Sequence, residues 1–306
     1  MIKITDKSAC CGCSACASIC AHKAIAMKPD GMGFLYPEVD ESKCVDCGLC
    51  NQVCAFNSTY DKSQNLDSPD VYAARHKDMD EIKTSRSGAV FIALSDWILE
   101  QGGIVYGAGY EEHFSVVHKR AVSKEERNEF KGSKYVQSDL KDTFLQVKKD
   151  LKQGYKVMFS GTPCQTSGLL SYLRTLKQDI SQLYVVDLVC HGVPAPYVWR
   201  DYLGYVEKKY HAKITSVNFR DKSQIGWTAH KESFSLGNKY VCTSTYTDLF
   251  YKHIMFRHSC GVCPFTNLKR PSDLTIADFW GWEKVDESIN RDDKGVSLLF
   301  VNTEKG

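Results

Sequence analysis

A small α+β unit followed by a larger α/β domain with a mixed sheet is the fold class this 306-residue sequence predicts. Three observations carry it. Eight cysteines within the first 54 residues form two copies of one spaced run, and a glycine-turned hairpin pattern separates the copies. From Val71 onward, apolar strand-like and helix-like segments alternate.

Cys10, Cys13, Cys16 and Cys20 read C-x2-C-x2-C-x3-C, and Cys44, Cys47, Cys50 and Cys54 repeat it. This is the bacterial ferredoxin run, in which three cysteines of a copy hold one cubane and the fourth ligates the other cluster. The expected sets are therefore crossed. Cys10, Cys13, Cys16 and Cys54 would hold one 4Fe–4S centre, and Cys44, Cys47, Cys50 and Cys20 the second. The first unit then reads as a ferredoxin-like dicluster domain. Zinc sites pair C-x2-C knuckles across a longer gap, without a third cysteine two residues on. A disulfide framework needs an oxidising compartment, and the chain opens MIKITDKSAC without an apolar signal segment. Both fourth cysteines precede alanine (Ala21, Ala55) where ferredoxins usually carry proline, which supplies no ligand.

Apolar content of 43% and charged content of 25% suit an ordinary globular protein. A net charge of +2 argues against nucleic acid or an anionic membrane surface as main partner. No apolar stretch reaches the ~18 residues a membrane span needs. Fourteen cysteines without a secretion signal point to a reducing cytoplasm and metal ligation, so the sequon Asn57-Ser58-Thr59 reads as chance.

The elements follow in order. Ala24 to Asp30 and Phe34 to Asp40 read as strands around the Gly31-Met32-Gly33 turn, closing a first domain over 1–57. Residues 58–69 are polar and aperiodic, which reads as a linker. Two parts of a larger domain follow, over 70–154 and 155–306. Val71 to Arg75 is a short strand, and Thr84 to Gln101 a helix stopped at Gly102-Gly103. Strands at Ile104 to Tyr110 and Phe114 to Val122 lead to a capping box at Ser123 and Glu126. A helix over Asp139 to Gln153 precedes a strand at Lys156 to Ser160, then a helix from Cys164 to Leu176. The strand Leu183 to Val189 ends at Cys190. Such alternation predicts a mixed or parallel sheet with helices on its faces. Beyond Lys213 come strands, a helix at Thr247 to Phe256, and a last strand at Val296 to Asn302.

Three features of the larger part bear chemistry. Cys164 follows Pro163 at a helix N-terminus, whose positive end favours thiolate. Cys190 ends the neighbouring strand, so both face the crevice beyond strand C-termini. Cys260 and Cys263 add a C-x2-C pair, and the four together would bind a third cubane. The alternative is that Cys164 and Cys190 are buried apolar thiols, while Cys260 and Cys263 hold zinc or nothing. Cys11 and Cys242 are left over, with a structural role expected for both. Second come the turns Ser85-Arg86-Ser87-Gly88, Gly132-Ser133-Lys134-Tyr135 and Ser160-Gly161-Thr162. They suit a nucleotide or flavin phosphate, or are ordinary capping and turn chemistry. Third, a strand ends near Asp278, Trp280 and Trp282, an aromatic pair that would wall a planar cofactor or simply pack.

The ferredoxin run, SRSGAVFIAL, KGSKYVQS, FSGTPCQTSGLL, VCHGVP and CGVCPF…LTIADFWG occur in the order found in the β-subunit family of coenzyme F420-reducing hydrogenases and dehydrogenases. Over nearly its whole length the chain resembles that family. The resemblance implies a flavin-binding larger domain, FAD as cofactor, and a third 4Fe–4S centre on Cys164, Cys190, Cys260 and Cys263. It implies FAD contacts near Ser87, Gly88, Gly132, Ser133, Lys134, Tyr135 and Thr162. The glycine pair usual after the serine turn is Gly88-Ala89 here, and the chain stops at Gly306 where similar proteins continue, so part of the last domain is expected to be missing.

The expected function is that of an iron–sulfur flavoprotein oxidoreductase. It would relay electrons between a hydride carrier (coenzyme F420 or another small organic acceptor) at FAD and 4Fe–4S clusters serving a redox partner protein. The alternatives are a flavin-free electron-transfer subunit that docks a separate catalytic partner, and a redox sensor. No side chain is required as a nucleophile. His191, beside Cys190, is a candidate proton donor, or a surface or core histidine.

Overall fold

The computed structural model describes residues 1–56 and 60–306. The sequon Asn57-Ser58-Thr59 and the boundary expected there lie outside the described residues. The N-terminal unit carries α1 (Ala15–Ile19), the hairpin β1 (Ile25–Pro29) and β2 (Leu35–Val39), and α2 (Leu49–Gln52). The hairpin is antiparallel with Met27 opposite Pro37. Asp30 closes its turn, its Oδ1 accepting from the Met32 N–H (2.9 Å) and the Phe34 N–H (3.0 Å).

The larger part runs β3 (Asn65–Ala74), α3 (Met79–Thr84), α4 (Val90–Leu99), β4 (Ile104–Tyr110), β5 (Val116–Ala121), α5 (Lys124–Arg127) and α6 (Thr143–Lys152). It continues with β6 (Val157–Gly161), α7 (Pro163–Thr175), β7 (Leu183–Leu188), α8 (Pro196–Tyr210), β8 (Ser216–Phe219) and α9 (Lys222–Ile225). Last come β9 (Glu232–Leu236), β10 (Lys239–Thr243), α10 (Thr245–Tyr251), β11 (Leu274–Asp278) and β12 (Ser297–Thr303). Seven strands form one sheet in the order β3-β12-β11-β7-β6-β4-β5. Its centre, β11-β7-β6-β4, is parallel, and the flanking pairs are antiparallel. The expected mixed sheet is thus present, and it spans both parts of the larger domain. A second sheet, β10-β9-β8, is antiparallel and packs with α8 and α10 around Trp199, Phe219, Phe234 and Tyr246. The buried Glu232 organises that corner: its carboxylate accepts from Tyr202 Oη (2.7 Å) and from the first N–H groups of α10 at Tyr246 (2.8 Å) and Thr247 (3.1 Å).

Several expectations are corrected. Residues 65–69, read as linker, begin β3, because Asn65 pairs with Thr303 and the edge strand of the sheet needs that length. The helix read from Thr84 starts at Val90. Ser87 and Ala89 adopt positive φ, and Gly88 lies so close to β3 that a Cβ would stand 2.1 Å from the Ala74 carbonyl oxygen. The helix read from Asp139 begins at Thr143, after the Asp139 N–H and carbonyl have bonded to β5. The 15-residue α8, with Pro196 in its first turn, was not anticipated.

The N-terminal unit does not stand apart. Cys11, Cys13, Ala15, Cys16, Ile19 and Val53 share one core with Phe144, Val147, Leu169 and Leu173 of α6 and α7. Apolar contact of that kind fixes how the unit sits on the sheet. Among the described residues, no helix is long and apolar enough to cross a membrane.

Candidate functional site

The two N-terminal cysteine sets are separately housed. Cys20, Cys44, Cys47 and Cys50 line one open pocket, with Val45 and Leu49 exposed at its rim. Cys16 is buried close to Cys10, Cys13 and Cys54, so burial and those neighbouring sulfurs push its thiol up. In each place, three cysteines of one run lie near the fourth of the other. Backbone amides aim at the sulfurs: Ile2 N–H at Cys50 (3.2 Å), Ala24 N–H at Cys20 (3.4 Å), Gly12 N–H at Cys10 and Ala15 N–H at Cys13. N–H donors of this kind stabilise anionic sulfur and tune a cluster's potential.

A third set forms beyond the C-terminal ends of β6 and β7. Thr162 caps α7 reciprocally with Gln165, and its hydroxyl lies 3.2 Å from Cys164 Sγ. Cys190, Cys260 and Cys263 come close enough to Cys164 that each feels its charge. Burial raises all three thiols, that of Cys260 to about 11. The Val193 N–H points at Cys260 Sγ (3.4 Å). Cys164 behaves oppositely: its interaction with the buried Cys11 thiol lowers it to about 7, and Cys11 lowers Cys13 as well. Cys11, left over in the sequence, therefore joins the first and third sets. Cys242 lies on β10, away from all of them.

Charge collects at the next strand end. Asp278 closes β11 and accepts from Ser87 Oγ, Arg220 and the Trp227 indole (3.1 Å). Burial pushes its carboxyl up, but Arg220 and Arg86 outweigh burial and hold it below normal. Arg86 bonds the Arg220 carbonyl oxygen, and Lys222 donates to the carbonyls of Ser87 (2.6 Å) and Lys294 (2.7 Å). Burial lowers Lys222 to about 7 and Arg86 to about 10. Arg220 Nε, Arg86 Nε and Ser85 Oγ are buried without a hydrogen-bond partner among the described residues. Trp280 stacks on Trp227 (4.5 Å) while 46% exposed, with Arg220 beneath it at 5.0 Å.

Of the expected flavin contacts, Ser87, Gly132, Ser133 and Tyr135 meet at this cleft. Ser133 bridges to Phe219, and the Tyr135 ring lies 5.1 Å from that of Phe219, next to Arg220. Three others are engaged differently. Gly88 is pressed on β3; Lys134 Nζ is turned back onto the Lys131 carbonyl (3.0 Å), and burial lowers it to about 7; Thr162 belongs to the α7 cap. Tyr251 connects the cleft to the third cysteine set, bonding His230 on one side and meeting the His191 ring at 5.6 Å on the other. His191 faces His253 (Nε2 to Nε2, 2.6 Å), and burial lowers its pKa. Arg220, Lys222 and Trp227 were missed in the sequence. Arg220, Lys222 and Lys231 spaced around the single Trp227 were the available signal.

Residues 154–306 match the family model for the C-terminal region of the coenzyme F420 hydrogenase/dehydrogenase beta subunit, and residues 9–58 match a 4Fe-4S dicluster domain. No curated protein matches the chain. Among solved structures, a chain of the F420-reducing [NiFe] hydrogenase complex from Methanosarcina barkeri superposes with a TM-score of 0.53 at 16% identity. That match covers 81% of this chain and 79% of the other, a likeness of fold.

Proposed function

The chain belongs to the coenzyme F420 hydrogenase/dehydrogenase beta-subunit family, and from that premise we propose that it is an iron–sulfur flavoprotein oxidoreductase. It relays electrons between a small organic hydride carrier, a deazaflavin of the F420 class or another acceptor, and a redox partner protein in the cytoplasm. Cys10, Cys13, Cys16 and Cys54 hold one 4Fe–4S cluster, and Cys44, Cys47, Cys50 and Cys20 the second. Cys164, Cys190, Cys260 and Cys263 hold a third.

One observation carries the flavin part of the reading. Arg86 and Arg220 put two buried guanidinium groups against the carboxylate of Asp278, with Lys222 beside them, and guanidinium nitrogens are left without partners among the described residues. Such a surplus is costly unless an anion completes it. The stacked Trp227 and Trp280 supply a flat apolar wall beside it. A dinucleotide flavin has both parts, a diphosphate and planar rings, and the cleft lies where open α/β sheets take ligands. The residues therefore fit FAD. Arg86, Arg220 and Lys222 hold the diphosphate, Asp278 orients Arg220, and the tryptophans shield a ring from water. When bound, a flavin exchanges a hydride with the carrier and single electrons with clusters that carry one each.

The test is the absorbance and metal content of anaerobically purified protein. The proposal expects a flavin band near ~450 nm and about twelve irons per chain, three cubanes of four. About eight irons without flavin would overturn it in favour of an electron carrier that docks a separate catalytic partner. Zinc on the N-terminal thiols would defeat both.

A further inference from the structure

Arg257 is 1% exposed and stands at the junction of two cysteine sets. Its Nε donates to the Cys10 carbonyl (2.7 Å), Nη1 to Gln137 Oε1 (3.0 Å), and Nη2 to the Leu35 carbonyl (2.8 Å) and towards Cys10 Sγ (3.6 Å). The guanidinium lies over the Tyr36 ring at 4.2 Å. Its backbone serves the other side: the Arg257 N–H donates to the Val193 carbonyl (3.0 Å), and its own carbonyl accepts from the Cys260 N–H (2.9 Å). Gln137 completes the clamp by donating to the Cys11 carbonyl (2.8 Å).

None of these acceptors is a carboxylate. A buried guanidinium without a counter-charge is strongly unfavourable, so the compensating negative charge must come from elsewhere. Among the groups the guanidinium touches, the Cys10 sulfur is the one able to carry that charge. Nη2 reaches towards Cys10 Sγ of the first set, and the Arg257 carbonyl holds the Cys260 N–H of the third. A cubane on four thiolates is an anion, and one-electron reduction adds one more negative charge. A fixed neighbouring cation favours that reduced form.

We propose that Arg257 is a positioning residue that seats the ferredoxin unit on the larger domain and raises the reduction potentials of the first and third clusters together. The inference rests on the three-cluster reading above. The second set (Cys20, Cys44, Cys47, Cys50) lines its own cavity, which Arg257 does not border, and serves as the internal reference.

The experiment is an anaerobic redox titration of the full chain, followed by electron paramagnetic resonance, for Arg257→Gln and Arg257→Lys. Dithionite supplies the electrons. In Arg257→Gln, the first and third clusters should become harder to reduce by about tenfold, about 59 mV for one electron, while the second stays put. Arg257→Lys, which keeps the charge and loses the planar fork, should hold the potentials close to those of the unaltered protein. Hydrogen exchange on the same anaerobic protein gives a second readout, with Cys10 to Gly12 and Leu35 exchanging faster in the Gln variant. About twelve irons with unmoved potentials in the Gln variant would overturn the inference. If that variant fails to load, a fall of all three potentials in the Lys variant overturns it, and potentials retained there support it. Failure of the underlying reading looks different, since the unaltered chain would then hold only about eight irons.

Discussion

Gly168, in the middle of α7, lies directly against Cys13: a Cβ placed there would stand 2.8 Å from the Cys13 sulfur. A helix interior normally gains about 1 kcal/mol from alanine in place of glycine. Here the helix gives up that gain so that the first cysteine set can approach the sheet domain. Gly168→Ala should therefore destabilise by a net of about 1–2 kcal/mol, because overpacking outweighs propensity. Denaturant melts would show it, and the iron content should fall with it. A more stable variant would remove the argument.

The third cysteine set predicts a stoichiometry. Cys260→Ser should lower iron from about twelve to about eight per chain and leave the N-terminal clusters' resonance signals in place. Cys242→Ser should leave iron unchanged, since Cys242 sits on β10 away from every set. Iron and sulfide assays on anaerobic protein decide between these outcomes.

Asp278 and Arg220 form a buried pair, 17% and 3% exposed at their side chains. Removing one member of such a pair leaves the other uncompensated, at a cost of about 3 kcal/mol. Asp278→Asn should show that loss in a urea melt. Arg220→Gln should retain less flavin per chain after gel filtration, with its iron unchanged. Flavin retention equal to that of the unaltered protein would mean that the cations of the cleft do not hold the cofactor.

His118 predicts a pH dependence. It is buried, stacked on Phe159 at 5.3 Å, with Nε2 facing the Ser160 carbonyl (3.0 Å) and Nδ1 facing Ser138 Oγ (3.0 Å). Burial lowers its pKa to about 4. The unfolded chain therefore binds the proton first as acid is added. Stability contributed by neutral His118 is complete above pH ~6.5 and is lost as pH falls towards ~4, about 3 kcal/mol in all. Asp187 works against it, because burial raises its carboxyl to about 6, so its proton is held more tightly in the folded chain. The clean measurement is the difference in stability between the unaltered protein and His118→Gln at pH 5 and pH 7. That difference should shrink at the lower pH.

Much of this arrangement was legible in the sequence. Ligands within a ferredoxin run sit two or three residues apart, so Cys10 to Cys20 and Cys44 to Cys54 carry their geometry locally, and the hairpin between them follows from Asp30 and the Gly31-Met32-Gly33 turn. Pro163, just before Cys164, likewise announces the start of α7. Readings that depended on packing fared worse. The helix before Leu99 was read too long because Thr84 to Ala89 holds no proline to stop it, while the closeness of Gly88 to Ala74 is a contact across the sheet. Residues 65–69 are polar and looked like a linker, yet their backbone completes an edge strand whose partner, β12, lies at the far end of the chain.

The amino-acid order alone determined which residues are chemically equipped: thiols at cluster spacing, a helix poised behind Cys164, and alternating strands able to form a mixed sheet. Tertiary structure decided which of them meet. Arg86, Arg220 and Asp278 converge because the loop before α4 and the end of β8 in the second sheet meet the end of β11 in the first. Arg257 reaches Cys10 because the N-terminal unit buries apolar surface on α6 and α7. Local spacing is written residue by residue, whereas the pairing of distant charges depends on burial, which only the folded chain creates.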